Sequence, residues 1–536
     1  METGRNGMII TEILARNSRR YADKTALVER APEEDTRREV TWEDFYKTSN
    51  RFANALEKLG MGKNDKVVQL MSNCLEWLPV YFGILSSGCW VVPLNFRFEA
   101  SKIRLCTEVA EAKVFVFGEE FIERIEEIKE KLDRFVQTFI FVGEGERCPE
   151  WALHFDSFIR DMPGDAPPAV EIRIEDEAAL YFTSGTTGIP KAVLLTHRNL
   201  EHACYVEKNH HGQTHDDVFL CIPPLYHTGA KMHWFGSFIV GGKCILLKGI
   251  KPEWILEAVS EEQATIAWLL VPWAHDILIA IETGQVDLLE YKLDQWRLMH
   301  AGAQPVPPSL IKSWLGYFPG QSYDTNYGLT ETTGPGCVHL GIENMDYVGP
   351  IGVPGFDWEV HVVDKKGNPL PGGETGELIV KGPGVMKEYY KNPQETAKTI
   401  RDGWLHTGDM ARYDHKGYIW LVDRKKDVII YGGENIFPVE IENFLIKHKM
   451  IKDVAVIGMP EERLGEIAAA VIEVKPGCEL TRLDVMEFAR QLPKYKRPRK
   501  IFFDNVPRNP TGKIEKPKLR RMYAQDERKD IKKLIE

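Results

Sequence analysis

Hydroxyls, glycines and one lysine crowd the stretch Thr183-Ser184-Gly185-Thr186-Thr187-Gly188-Ile189-Pro190-Lys191. Gly185 and Gly188 reach backbone angles closed to residues with a side chain, so successive N–H groups can turn inward around an anion. Ser184, Thr186 and Thr187 add hydroxyl donors and Lys191 adds a full positive charge, a set that suits a phosphate chain. The spacing is not that of the P-loop, because Ile189-Pro190 parts the last glycine from the lysine and a strand-like run follows. Gly, Ser and Thr also crowd ordinary surface hairpins, so the stretch must be weighed by its company.

That company is spread along the chain. In Asp324-Thr325-Asn326-Tyr327-Gly328-Leu329-Thr330-Glu331 a carboxylate follows a hydroxyl, the hard oxygen donors that magnesium takes and shares with phosphate. Ionised Asp409 in Thr407-Gly408-Asp409 has only acceptors, so it can take both hydroxyls of a ribose. Five consecutive charges, Asp423 to Asp427, read as a solvated turn or as a joint between domains. Lys513 stands in a basic tail where lysine is common. The segment with His202, His210, His211, His215, Asp216 and Asp217 shows no familiar zinc spacing and reads as polar connecting residues.

The elements that must position these groups are legible in outline. Ala179 to Thr183 and Ala192 to Leu195 read as strands on either side of the hydroxyl-rich loop, and Thr41 and Thr196 are placed to cap helices. Between 65 and 140, apolar runs alternate with helical patterns, which points to a parallel sheet flanked by helices. From 347 to about 422, short strands and tight turns form a β subdomain, and 428–536 reads as a smaller α+β domain. The expected fold is α/β, with a large N-terminal domain over 1–422, a joint at 423–427 and a C-terminal domain over 428–536.

With 536 residues the chain is too long for one core. Its 43% hydrophobic and 27% charged residues are those of a globular enzyme. No apolar run approaches the roughly 18 residues a membrane span needs. The start is polar, without a signal core, so a cytoplasmic protein is expected. Nine scattered cysteines without a Cys-x-x-Cys pair argue for reduced thiols, and a net charge of −11 gives no support to nucleic-acid binding. Nothing in the sequence decides between a monomer and a homo-oligomer.

Together, Thr183 to Lys191 resemble the phosphate loop of the adenylate-forming superfamily: acyl-CoA synthetases, amino-acid adenylation domains and beetle luciferases. Tyr327-Gly328-Leu329-Thr330-Glu331, Thr407-Gly408-Asp409, Asp423 to Asp427 and the lysine of Thr511-Gly512-Lys513 match further motifs of that family, in order. The resemblance implies an AMP-forming acyl-CoA synthetase of the fatty-acyl or aryl-acid branch, using ATP, Mg2+ and coenzyme A on a small-molecule carboxylic acid. It places Thr186, Lys191 and the loop amides on the leaving pyrophosphate, Glu331 on magnesium and Lys513 on the α-phosphate. It assigns Ala303, Gln304, Asp324, Asn326, Tyr327, Thr330, Asp409 and Arg424 to the nucleotide. Lys426 becomes the pivot of a mobile C-terminal domain, and Gly432 and Gly433 line the pantetheine tunnel.

The resemblance also gives an acid pocket walled by His227, Gly229, Met232, His233, Trp234, Ala301, Ala303, Gly328 and Gly334, with His227 at the junction with the thiol channel. Relatives restricted to acetate carry a tryptophan at the position of Gly328, so a medium-length, branched, cyclic or aromatic acid is expected. An amino-acid adenylation enzyme would need an acidic residue in the pocket, and residues 222–240 hold neither Asp nor Glu. A nucleotide-binding sensor without catalysis is the remaining alternative, opposed by the intact Glu331 and Lys513.

Overall fold

The computed structural model describes residues 7–183, 190–302, 306–339, 347–431, 434–461, 463–508 and 514–523. Ser184, Gly185, Thr186, Thr187, Gly188, Ala303, Gln304, Gly432, Gly433 and Lys513 therefore lie outside the described residues. The chain divides into two compact units, Met1–Glu359 with Val380–Leu405, and Val360–Ile379 with His406–Glu536. Residues 360–379 and 406–422, which the sequence reading attached to the N-terminal part, cluster with the C-terminal part.

The first unit is built on two large sheets. One runs Ser322–Asp324, Leu298–Gly302, Ile266–Leu270, Val218–Cys221, Lys243–Leu247, Thr25–Ala31 and Thr36–Thr41, parallel up to its last pair. Its strands read as continuous apolar runs because helices cover both faces; Leu220, Ile245, Ala267, Leu269 and Met299 are all fully buried. The other sheet runs Glu388–Tyr389, Lys191–Thr196, Glu177–Thr183, Trp90–Pro93, Lys66–Leu70, Val114–Gly118, Thr138–Val142 and Leu153–His154. Glu177–Thr183 and Lys191–Thr196 are antiparallel with Thr183 opposite Lys191, so the hydroxyl-rich loop closes a hairpin.

Both expected caps are present. The Thr41 hydroxyl accepts from Asp44 N at 3.1 Å and that of Thr196 from Asn199 N at 3.3 Å. The helix begun by Thr196, His197–His211, carries His202, His210 and His211, residues that the sequence reading had placed in a polar connection. His210 and His211 face Asp324 of the strand Ser322–Asp324, a buried partner that local polarity cannot reveal.

The second unit contains most of a sheet that runs Glu359–Val363, Gly376–Lys381 and Trp404–Tyr413, with Ile419–Arg424 antiparallel to the last. It also contains a sheet of Glu434–Ile436, Ile429–Tyr431, Gly465–Val474, Ile451–Glu461 and Lys500–Phe503, with the helices Pro438–Leu445, Arg482–Phe488 and Lys516–Tyr523.

Candidate active site

Lys191 begins the strand after the loop, and the short strand Glu388–Tyr389 pairs with that strand, Tyr389 opposite Val193. This register carries a helix start with it. The Asn392 side chain accepts from Glu395 N at 3.1 Å, capping Pro393–Thr399 and holding Glu395 where it ion-pairs with the Lys191 ammonium. The ammonium also stands 4.8 Å from the centroid of the Tyr389 ring. The Tyr389 hydroxyl donates to Glu331 Oε1 at 2.7 Å, while Met386 N donates to the Glu331 carbonyl at 2.8 Å. Lys191 and Glu331, from motifs about 140 residues apart in the chain, thus share one tyrosine.

The electrostatics agree with the geometry. The hydrogen bond from Lys191 holds the Glu395 carboxyl below its ordinary range, so this is a charged pair at neutral pH. Burial, and then the Glu331 charge, push the Tyr389 phenol far up, so it stays a donor. Sequence reasoning missed both Tyr389 and Glu395. The signal for them is a strand register rather than a motif.

The acid-pocket candidates fall into two groups. His227 caps the helix Thr228–Val240, its Nδ1 accepting from Gly229 N at 3.1 Å. His233, one turn on, donates from Nδ1 to the Gly229 carbonyl and accepts at Nε2 from Asn326 Nδ2 at 3.0 Å. Its ring stacks on Trp268, centroids 4.3 Å apart, and burial pushes it down to about 4, so it is neutral. A Cβ on Gly229 would meet both His227 and Trp268 at 3.1 Å. Ala301 is buried on the neighbouring strand. Met232 and Trp234 are fully buried, and Trp234 packs on Phe235 and Phe238, away from the His233 and Trp268 stack. At Gly328 a Cβ would stand 2.5 Å from the Gly334 carbonyl oxygen, so a side chain there would require the backbone of residues 334–335 to shift.

Next to His233 lies a buried polar network. Asp324 accepts from His210 Nε2 at 2.9 Å, His211 Nε2 at 2.8 Å and His300 Nδ1 at 3.1 Å. Burial opposes its charge, yet the charge of His210 and the three imidazole hydrogen bonds hold its carboxyl well below the usual range. Against the same burial, Asp324 pushes His210 up to about 9, while His300 is pushed down to about 4. The Asp324 carboxylate is turned to the histidines. Asn326 Nδ2 also donates to Glu207 Oε1 at 3.2 Å, bringing from the helix His197–His211 the acidic residue that 222–240 lacks. Tyr327 is buried, and Thr330 and Glu331 are half-buried in the turn Thr330–Thr332.

In the second unit Asp409 and Arg424 are cross-strand partners, Nε to Oδ1 2.9 Å. In the five-charge run Lys425 and Lys426 are exposed in a turn, whereas Asp423 and Asp427 at its ends are buried. Asp423 accepts from Arg424 N at 2.7 Å and Val439 N at 3.0 Å, and burial pushes its carboxyl up to about 6. Asp427 accepts from Arg520 at 2.7 Å. Burial also lowers the Lys426 ammonium from its ordinary value.

Comparison with known proteins adds independent observations. The family model described as AMP-binding enzyme matches residues 14–390, and that of the AMP-binding enzyme C-terminal domain matches 440–513. A feruloyl-CoA synthase of Amycolatopsis sp is 32% identical over 489 residues, 90% of this chain and 94% of the relative. The 4-coumarate–CoA ligase 1 of Arabidopsis thaliana is 30% identical over 97% of this chain and 93% of its own. Among solved structures, an anthranilate CoA ligase in complex with anthranoyl-AMP superposes with a TM-score of 0.86 at 26% identity, covering 97% of this chain and 98% of that one.

Proposed function

Because the chain belongs to the AMP-binding enzyme family, we propose that its Lys191, Tyr389 and Glu331 cluster is where a carboxylic acid is activated by ATP. The enzyme is an AMP-forming acid–thiol ligase. A carboxylate oxygen attacks the α-phosphorus of ATP, the bond to the β-phosphate oxygen breaks, and an acyl adenylate and pyrophosphate form. The sulfur of coenzyme A then attacks the acyl carbonyl and AMP leaves, giving the acyl-CoA. The observation that carries the site assignment is the sharing of Tyr389 by the cation and the carboxylate that flank the loop.

Two anions must meet in the first half, so fixed positive charge and aligned donors are the main devices. Lys191 exchanges Glu395 for the phosphates, and Thr183 to Gly188 supply hydroxyl and amide donors. Glu331 fits magnesium: Tyr389 orients one carboxylate oxygen, which leaves the other as a hard donor. When bound there, the metal neutralises charge on the leaving pyrophosphate. Asp409 takes the ribose hydroxyls, its pairing with Arg424 fixing the carboxylate. Lys513 serves the α-phosphate, and 423–427 forms the hinge on which residues 428–536 turn between the two halves, bringing Gly432 and Gly433 to the thiol.

The acid we assign is aromatic. The relatives and the solved neighbour are named for feruloyl, coumarate and anthranilate chemistry, and the His233 and Trp268 stack gives a flat wall beside Gly229. Nine free cysteines suit a reducing compartment, and a cytoplasmic location is proposed on that ground. No described helix is long and apolar enough to cross a membrane. Glu207 keeps the amino-acid adenylation reading in the test. A panel of hydroxycinnamic, benzoic, fatty and amino acids with ATP and CoA, scored for AMP, decides. We expect an aryl acid to have the highest kcat/KM; an amino acid in first place, or acetate, overturns the assignment.

A further inference from the structure

The helix His197–His211 places Glu207, His210 and His211 at i, i+3 and i+4, on one face. All three side chains are buried, 0%, 1% and 0% exposed, and each is held from one side only. Asn326 Nδ2 donates to Glu207 Oε1 at 3.2 Å. His210 Nε2 meets Asp324 Oδ1 at 2.9 Å and the His339 carbonyl at 2.7 Å, and His211 Nε2 meets Asp324 Oδ2 at 2.8 Å. The opposite atoms, Glu207 Oε2, His210 Nδ1 and His211 Nδ1, are buried without a hydrogen-bond partner. One donor atom from each of the three residues lies within 4.8 Å of the others, with His211 Nδ1 and Glu207 Oε2 3.5 Å apart.

We propose that Glu207, His210 and His211 form a binding site for a zinc-like divalent transition metal. With bonds of about 2.0–2.1 Å, two ligand atoms in tetrahedral arrangement stand about 3.4 Å apart, close to the observed separation. The outer partners are those of a metal centre: a ligating imidazole donates its other N–H to a carboxylate, as both histidines do to Asp324, and a ligating carboxylate is itself hydrogen-bonded, as Glu207 is to Asn326. Imidazole and carboxylate together favour zinc over magnesium or calcium. The neighbouring trio His211, His300 and Asp324 is also close, but there both imidazole nitrogens already donate to the Asp324 carboxylate, at 2.8 and 3.1 Å. The place of the metal is distinct from the magnesium of Glu331, and it fastens the helix to Asp324 and Asn326, which lead into the turn carrying Glu331.

The test uses the full chain. Chelator-stripped protein is titrated with Zn2+ and, separately, with Co2+, and metal retained after gel filtration is measured by mass spectrometry. We expect about one zinc per chain, a raised Tm and visible Co2+ absorption without thiolate charge transfer. Glu207→Gln, which keeps the carbonyl that Asn326 contacts, should weaken zinc by more than a hundredfold, and Asp324→Asn by about 10–100-fold. Wild type that retains no zinc, a thiolate band that puts the metal on cysteine, or unchanged uptake by Glu207→Gln each overturn the site. The wild-type titration decides even where a variant misfolds.

Discussion

Replacing Tyr389 by phenylalanine removes one hydroxyl and leaves the ring over which the Lys191 ammonium stands, so it isolates the bond to Glu331. That bond, 2.7 Å from a buried phenol to a carboxylate, is charge-assisted, with a net value of about 1.5–3 kcal/mol. Glu331 is half-buried, so the lower end applies, and 1.4 kcal/mol is about tenfold in an equilibrium constant. The loss should fall on the metal, because the hydroxyl orients the carboxylate and not the acid. Burial keeps the phenol protonated, so no pH dependence enters from this group. The assay is the initial rate of pyrophosphate release as a function of free Mg2+ at saturating ATP and acid. We expect the Mg2+ concentration for half-maximal rate to rise about tenfold with the KM for the acid unchanged. An unchanged Mg2+ dependence, or a rise in the acid KM alone, would refute the role given to Tyr389.

Three further outcomes follow from the same geometry. Glu395→Gln frees Lys191 from a half-exposed ion pair; steady-state kinetics should show the KM for ATP falling about twofold to fivefold, with stability changed by less than about 1 kcal/mol. Lys513→Ala should abolish acyl-adenylate formation yet leave thioester formation from a supplied acyl adenylate largely intact, and equal loss in the two half-reactions counts against the assignment. For Asp423 the folded carboxyl titrates at about 6 against an unfolded value of about 3.9, so the folded state binds the extra proton between those limits. Its contribution to stability is full below about pH 4 and is lost as pH rises through 6, at most about 3 kcal/mol. Asp423→Asn should therefore gain Tm relative to wild type as pH climbs from 4 to 7, and parallel Tm curves would contradict the burial argument.

The sequence disclosed what local chemistry can carry. Thr196 as a cap, the hairpin between Thr183 and Lys191, and the hydroxyl beside Glu331 are written in a few adjacent residues, each with a single physical requirement. Tyr389 and Glu395 were hidden because they reach Lys191 through a strand pairing formed two hundred residues later in the chain. The histidines of 202–211 misled for the opposite reason: polar residues suggest a solvated connection, whereas Asp324 and His300, from two other strands, make that helix face a buried charged network. At Gly328 the sequence could not show that the Gly334 carbonyl oxygen stands 2.5 Å from where a Cβ would be, because that approach comes from the neighbouring strand's start.

The most direct test is to incubate the enzyme with MgATP labelled at the α-phosphorus and an aryl acid, first without and then with coenzyme A, and to follow the label by chromatography. We expect a labelled acyl adenylate and pyrophosphate in the first stage, then labelled AMP and a stoichiometric acyl-CoA in the second. Labelled ADP with inorganic phosphate, or AMP released without any adenylate on the way, would contradict attack at the α-phosphorus.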